Sequence, residues 1–184
     1  MTGILALQGD FAAHARALEA CGETWVEVRT PSDLDRCERL IIPGGESTTL
    51  GILLKLAGLD TAIPDRIKEV MPVWGTCMGM ILLAKEIEGS DQLHFSMLDI
   101  TVRRNAFGAQ VFSFEQGFEM RGLDEPVHGV FIRAPIVTRF GESVEPLAEI
   151  DDQIVAVRSD KILGTSFHPE LTGDTRIHEY FLSF

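Results

Sequence analysis

Residues 71–85 read MPVWGTCMGMILLAK. An apolar run of strand length, 71–74, enters a glycine-flanked cysteine, Gly75-Thr76-Cys77-Met78-Gly79, and residues 78–85 continue as an apolar run that reads as helix. Strand, tight turn and helix form the unit from which a largely parallel, helix-covered sheet is built. The same unit recurs upstream. Residues 3–7 are a short apolar run ending in Gln8-Gly9-Asp10, and Asp10 can cap a helix that carries Phe11, Leu18 and Cys21 and stops at Gly22. Residues 24–28 and 39–42 read as the second and third strands, the third running into Pro43-Gly44-Gly45. Ser47 can cap the next helix, in which Leu50, Leu53, Leu54 and Ala57 fall at helical spacing before Gly58. A more polar helix is expected over 60–70.

The chain changes character further on. Residues 99–166 hold short runs of Val, Ile and Phe broken by Gly, Pro and charge, the pattern of a partly antiparallel extension. A strand at 162–165 and a closing helix at 174–184 complete the reading. No composition break marks a linker, so one three-layer α/β domain over 1–184 is expected, its sheet mostly parallel with a small antiparallel extension. In such sheets ligands sit beyond the carboxyl ends of the strands. Three loops share that position: Gln8-Gly9, 43–47 and 75–79.

Composition narrows the function. The 184 residues are 45% hydrophobic and 24% charged, ordinary for a globular domain, and the formal net charge is -12. No basic stripe offers itself to a phosphate backbone, so no nucleic acid is expected. Apolar runs such as 50–54 and 80–84 are too short to span a bilayer, and the N-terminus lacks the basic region of a signal peptide. Cys21, Cys37 and Cys77 form no C-x-x-C pair, which points to free thiols in a reducing cytoplasm. The five histidines have no metal-ligand spacing, and no metal is expected.

Three segments can carry chemistry. The 75–79 pentapeptide is the cysteine counterpart of the G-x-S-x-G nucleophile elbow, with the helix N-terminus favouring a thiolate and the Met78 amide aimed at an oxyanion. A buried structural cysteine in a glycine turn is the alternative. Ser166-Phe167-His168-Pro169-Glu170 follows the 162–165 strand. Pro169 biases His168 to an extended backbone, so Glu170 can reach the imidazole and orient it. Alone this could be an ordinary loop. In Pro43-Gly44-Gly45-Glu46-Ser47, two glycines let backbone approach a ligand and Glu46 can receive an ammonium group; a capped strand-to-helix turn is the plainer reading. His14, His94, His128 and His178 default to surface or interface positions, Cys21 to the core, and Cys37 to a partly exposed thiol. Arg103 should face away from Arg104.

With these elements in this order, the sequence resembles the class I, triad-type glutamine amidotransferases, and among them the glutaminase subunits of pyridoxal 5′-phosphate synthases. The resemblance runs from residue 5 to residue 172. It rests on PGGESTT at 43–49, GTCMG at 75–79, AKEI at 84–87, RNAFG at 104–108, GVFIRAP at 129–135 and HPELT at 168–172. It implies a flavodoxin-like glutaminase domain with Cys77 as nucleophile, His168 as base and then acid, and Glu170 orienting it. It further implies a glutamine site of Gly44, Gly45, Glu46, Arg104, Ile132 and Arg133, an oxyanion hole from the amides of Gly45 and Met78, and a partner-coupled loop at Gln8 and Gly9. The implied partner is a (β/α)8-barrel synthase subunit that receives the ammonia for vitamin B6 biosynthesis, and no cofactor is implied on this chain. Met78 departs from the smaller residue common in the family, which alters packing and leaves the amide available. A glutaminase of another ammonia-dependent synthase, such as one of histidine biosynthesis, shares the triad. A peptidase-like cysteine hydrolase carries its histidine next to the cysteine, where this chain has Met78.

Overall fold

The computed structural model describes residues 1–106 and 113–184, apart from the side chain of Ser47. Phe107 and Gly108 of the 104–108 stretch lie outside the described residues. Along the described chain run β1 (Thr2–Leu5), α1 (Phe11–Ala20), β2 (Trp25–Val28), α2 (Pro31–Leu34), β3 (Arg39–Ile42), α3 (Ser47–Ala57), α4 (Leu59–Lys68), β4 (Val73–Thr76), α5 (Met78–Leu83) and β5 (Ala84–Ile87). The second half contributes β6 (Leu98–Arg103), β7 (Ser113–Phe118), β8 (Val127–Ile132), β9 (Ile136–Phe140), β10 (Glu145–Ile150), β11 (Gln153–Ser159), β12 (Ile162–Thr165), a 3-10 turn Pro169–Leu171 and α6 (Arg176–Leu182).

The main sheet has the order β2-β1-β3-β4-β12-β11-β9-β6-β5, with β10 beside β11; β7 and β8 form a separate hairpin. Strands β2, β1, β3, β4 and β12 are mutually parallel, and the antiparallel extension starts where β11 pairs with β12. β4 lies between β3 and β12 with Gly75 opposite both Ile42 and Gly164. The chain therefore leaves three adjacent strands at one edge.

Residue alternation along the parallel strands supplies both cores, because successive side chains face opposite sides of a sheet. Ile4, Ile41 and Trp74 face a cluster with Leu18 of α1 and Ile177 and Phe181 of α6. Leu5, Leu40, Ile42 and Val73 face the other cluster, with Leu50 and Leu54 of α3, Ile63 of α4 and Ile81 of α5. The result is three layers, helices on both faces of the sheet.

Several elements differ from the sequence reading. The helix expected over 78–85 ends at Leu83, and Ala84–Ile87 is a strand pairing in parallel with β6. There the Leu82 and Leu83 carbonyls accept from the Phe95 and Met97 amides, so long-range pairing outweighs the helix propensity of Ala-Lys-Glu. Glu46, not Ser47, is the N-cap of α3; its carboxylate accepts from the Thr48 and Thr49 amides at 2.9 and 2.7 Å. The short helix α2 was not anticipated, although Thr30 and Asp33 form a capping box there.

Candidate active site

Cys77 leaves β4 with φ 51° and ψ -106° and opens α5. This left-handed turn for a residue with a Cβ is the strained conformation of a nucleophile elbow. Two glycines make room for it: a Cβ on Gly75 would meet the Gly79 carbonyl carbon at 2.3 Å, and one on Gly79 would meet the Ile42 oxygen at 2.1 Å. The Cys77 amide donates to the Thr165 carbonyl at 2.7 Å, pinning the elbow to β12. Its Sγ lies 3.8 Å from the Ile132 carbonyl.

Past β12 the backbone reaches His168, whose amide donates to the Val130 carbonyl of β8 at 2.8 Å. The imidazole Nδ1 lies 2.8 Å from Glu170 Oε1. The contact is made across the 3-10 turn Pro169–Leu171 rather than along the extended segment that the sequence suggested. A carboxylate only accepts, so Nδ1 carries a proton and Nε2 is left for Cys77. Burial by itself would lower the His168 pKa, but the hydrogen bonds to Cys77 and Glu170 and their negative charges outweigh it and raise it to about 10. Desolvation pushes Glu170 the other way from its neighbours; His14 and His168 win, and its carboxyl is held below the ordinary range. Cys77, His168 and Glu170 are thus one hydrogen-bonded line ending in an anion.

Cys77 and His168 open into a cavity of about 640 Å³. Gly9, Gly44, Gly45, Glu46, Met78, Arg104, Ile132 and Arg133 also line it, so the residues singled out for the site come together. Gln8 does not line the cavity; its Oε1 accepts from the Glu46 amide at 3.2 Å, tying the first loop to the glycine loop. Gly9, at φ 93°, packs so tightly that a Cβ would meet the Gly44 oxygen at 2.0 Å. A Cβ on Gly44 would meet His168 Cε1 at 2.5 Å, so the imidazole rests on bare backbone. The Gly44 amide donates to Thr76 Oγ1 at 3.1 Å. Arg104 reaches Gln92 Oε1 at 2.9 Å, whereas Arg103 turns outward to Glu88 at 2.7 Å. Arg133 has a positive φ of 47°, a sparsely populated state that clusters at functional sites.

Asp10, Ile81, Asn105 and Ser113 also line the cavity. Asp10 is the N-cap of α1, Ile81 lies one turn into α5 and Ser113 opens β7, while Asn105 adjoins Arg104; none belongs to a motif that marks it for the cavity. The expected surface or interface placement of two histidines is corrected: His14 and His178 are fully buried, and His14 Nε2 lies 3.5 Å from Glu170 Oε2. His14 sits on the inward face of an amphipathic helix, which the apolar spacing of α1 could have shown. Cys37 is buried, accepted by the core beneath β1, and Cys21 is the half-buried C-cap of α1 rather than core. Among the described residues no group of three or more His, Cys, Asp or Glu is placed to hold a metal ion.

A cysteine elbow and a histidine–glutamate pair at the carboxyl edge of adjacent parallel strands define the class I glutamine amidotransferase fold. A solved structure titled "Crystal structure of glutamine amidotransferase" superposes with a TM-score of 0.94 at 49% identity, covering 99% of this chain and 97% of that one. The profile of the SNO glutamine amidotransferase family matches residues 4–184, and the chain belongs to that family. It is 57% identical to "Pyridoxal 5'-phosphate synthase subunit PdxT" of Desulforudis audaxviator, over 99% of this chain and 97% of the relative. The protein of the same name from Herpetosiphon aurantiacus is 56% identical over 98% and 97%.

Proposed function

We propose that this chain, as one domain over 1–184, hydrolyses L-glutamine to L-glutamate and ammonia as the glutaminase subunit of a pyridoxal 5′-phosphate synthase. The ammonia passes to a (β/α)8-barrel synthase subunit in a hetero-oligomeric complex for vitamin B6 biosynthesis. The observation that carries the reading is the hydrogen-bonded line from Cys77 through His168 to the buried Glu170, at the wall of a cavity edged by the Gly44–Gly45 loop. Relatives more than half identical along the whole chain bear the synthase-subunit name, which favours this partner over a synthase of histidine biosynthesis. Met78 after Cys77 disfavours a peptidase-like hydrolase.

The position of His168 between Cys77 and Glu170, with its pKa raised, supports one order of proton transfers. With the imidazole protonated beside a thiolate, Cys77 attacks the side-chain carboxamide directly, and the oxyanion is held by the amides of Gly45 and Met78. His168 Nε2–H then protonates the departing nitrogen, ammonia leaves, and a glutamyl thioester remains on Cys77. The neutral His168 now takes a proton from water, whose oxygen adds to the thioester carbon. Collapse expels the Cys77 thiolate, releases glutamate and restores the starting ion pair.

Gly44, Gly45, Glu46, Arg104, Ile132 and Arg133 form the glutamine site. The Glu46 carboxylate caps α3 and keeps further lone pairs for the substrate ammonium. The Gln8–Gly9 loop, bonded to the Glu46 amide, is where docking of the synthase subunit organises the hole. Free cysteines at 21, 37 and 77 suit the cytoplasm, and among the described residues no helix is long and apolar enough to cross a membrane. The test is glutamate release from glutamine with and without a pyridoxal phosphate synthase barrel subunit. Weak release alone and strong release with the partner are expected; equal release in both conditions refutes the docking switch, and none in either refutes the glutaminase reading.

A further inference from the structure

His14 and His178 take no part in the steps above, yet both are fully buried behind the triad. His14 projects from α1 with Nε2 3.5 Å from Glu170 Oε2 and 3.4 Å from Thr76 Oγ1. Its Nδ1 lies 3.0 Å from His178 Nε2 on α6. Glu170 Oε2 makes no hydrogen bond within 3.5 Å among the described residues, so His14 Nε2 is its facing donor at slightly more than bonding distance.

The facing carboxylate selects one set of protons along this line. A carboxylate accepts only, so the tautomer that serves Glu170 Oε2 carries its proton on His14 Nε2, which also lies against the Thr76 hydroxyl, and leaves His14 Nδ1 as an acceptor. His178 must then donate through Nε2–H, which leaves its own Nδ1 bare, and that atom is buried without a partner among the described residues. Trp74 closes the compartment, its ring 5.5 Å from His14 and 4.8 Å from His178. Burial keeps both imidazoles neutral: it lowers His14 against the pull of Glu170 and Asp10, with His168 adding to the lowering, and takes His178 to about 3 with help from His14 against Glu170 and Asp174. Among the described residues these charged groups, with the hydroxyl of Thr76 on β4, act on the pair.

We infer that His14 and His178 are positioning residues of the hydrolysis: His14 steers the second oxygen of Glu170, and His178 locks the tautomer and ring of His14, so that Glu170 presents its other oxygen to His168 in one geometry. The triad is thereby extended backwards through α1 to α6, both on one face of the sheet. The inference rests on the glutaminase reading for its substrate, but the Cys77–His168 pair can be probed without glutamine.

The experiment compares the wild-type chain with His14→Phe, His14→Gln and His178→Phe, each assayed with the synthase barrel subunit. Glutamine kcat and KM are measured, together with the pH profile of Cys77 alkylation by iodoacetamide, read at Cys77 by mass spectrometry. For folded His14→Phe, kcat should fall about tenfold or more with KM little changed, since geometry and not binding is lost. Its alkylation profile should move to higher pH because His168 is less well supported as a cation. His14→Gln, which keeps an N–H donor, should recover much of both, and His178→Phe should lie between. Wild-type kcat and alkylation in folded His14→Phe overturn the inference, as does a His14→Gln no better than His14→Phe. If the variants do not fold, side-chain nitrogen NMR of the wild type decides: an Nε2–H tautomer at His14 supports the line, and an Nδ1–H or exchanging tautomer overturns it. If the wild type releases no glutamate while alkylation still depends on His14, the glutaminase reading falls and the positioning line stands.

Discussion

Cys77 holds φ 51° and ψ -106° because the elbow between β4 and α5 leaves no other path, and such a backbone costs of order 1–3 kcal/mol. Cys77→Gly should therefore be more stable than Cys77→Ala by about 1 kcal/mol in urea unfolding, while neither hydrolyses glutamine. Cys21→Ala and Cys37→Ala should keep activity, since neither thiol lines the cavity. The Cys77 sulfur also supports its partner. His168 reaches about 10 through Cys77 and Glu170 against the lowering by burial, so its NMR shifts should not titrate near the ordinary 6.5. In Cys77→Ala the titration should move down in pH. For a raised histidine, the linked stability is fully present below about 6.5 and is lost as pH rises through about 10. An unchanged His168 titration in Cys77→Ala would show that Cys77 does not hold the proton in place.

At the scale of elements, glycines and caps decide whether strand becomes helix at the site edge. Gly79 packs so close to Ile42 that a Cβ would sit 2.1 Å from backbone oxygen, which no side-chain rotation relieves. Gly79→Ala should lower unfolding free energy by about 2 kcal/mol or more, with glutamate release lost alongside; a Gly79→Ala protein of wild-type stability contradicts the close approach. At the start of α3, the Thr49 and Thr48 amides hold the Glu46 carboxyl at about 2, against an ordinary 4.5. For a lowered carboxyl the stabilisation is complete above about 4.5 and disappears as pH falls through about 2. The Tm gap between wild type and Glu46→Gln should accordingly shrink as pH is lowered, and a gap that stays constant would remove the cap from the account. The sequence displayed the cap region but suggested Ser47, because serine is the commoner cap and nothing local shows which of two adjacent side chains turns back to the amides.

At the scale of the whole molecule, two apolar clusters among the described residues clamp the sheet, and the cluster on the α1–α6 side also encloses the histidine pair. Phe181 is fully buried there and packs 5.6 Å from Trp74. Phe181→Ala should cost about 3–5 kcal/mol in urea unfolding. The vacated space lies beside Trp74 and His178, so catalytic loss should accompany the loss of stability even at temperatures where the variant stays folded. Retained kcat in folded Phe181→Ala would show that this core is mechanically separate from the triad.

Much of this was legible in the sequence. The strand-to-helix units at 3–22 and 39–57, and the one read over 71–85 whose helix ends at Leu83, follow from short apolar runs, glycine turns and helical spacing, all local properties of the chain. That Cys77, His168 and Glu170 could act together was suggested by an elbow and a His-x-Glu pair, short motifs whose chemistry is set by the side chains themselves, and the fold brings the three into contact. Tertiary structure decided what depends on distant partners. It made residues 84–87 a strand, since β6 supplies the hydrogen bonds, and brought Glu170 to His168 through a 3-10 turn instead of an extended segment. It also took His14 and His178, 164 residues apart, out of water and set them 3.0 Å from one another behind the triad. A histidine has no local signature for that role: burial between a helix, a strand and the last helix selects its tautomer, and only the folded chain supplies all three.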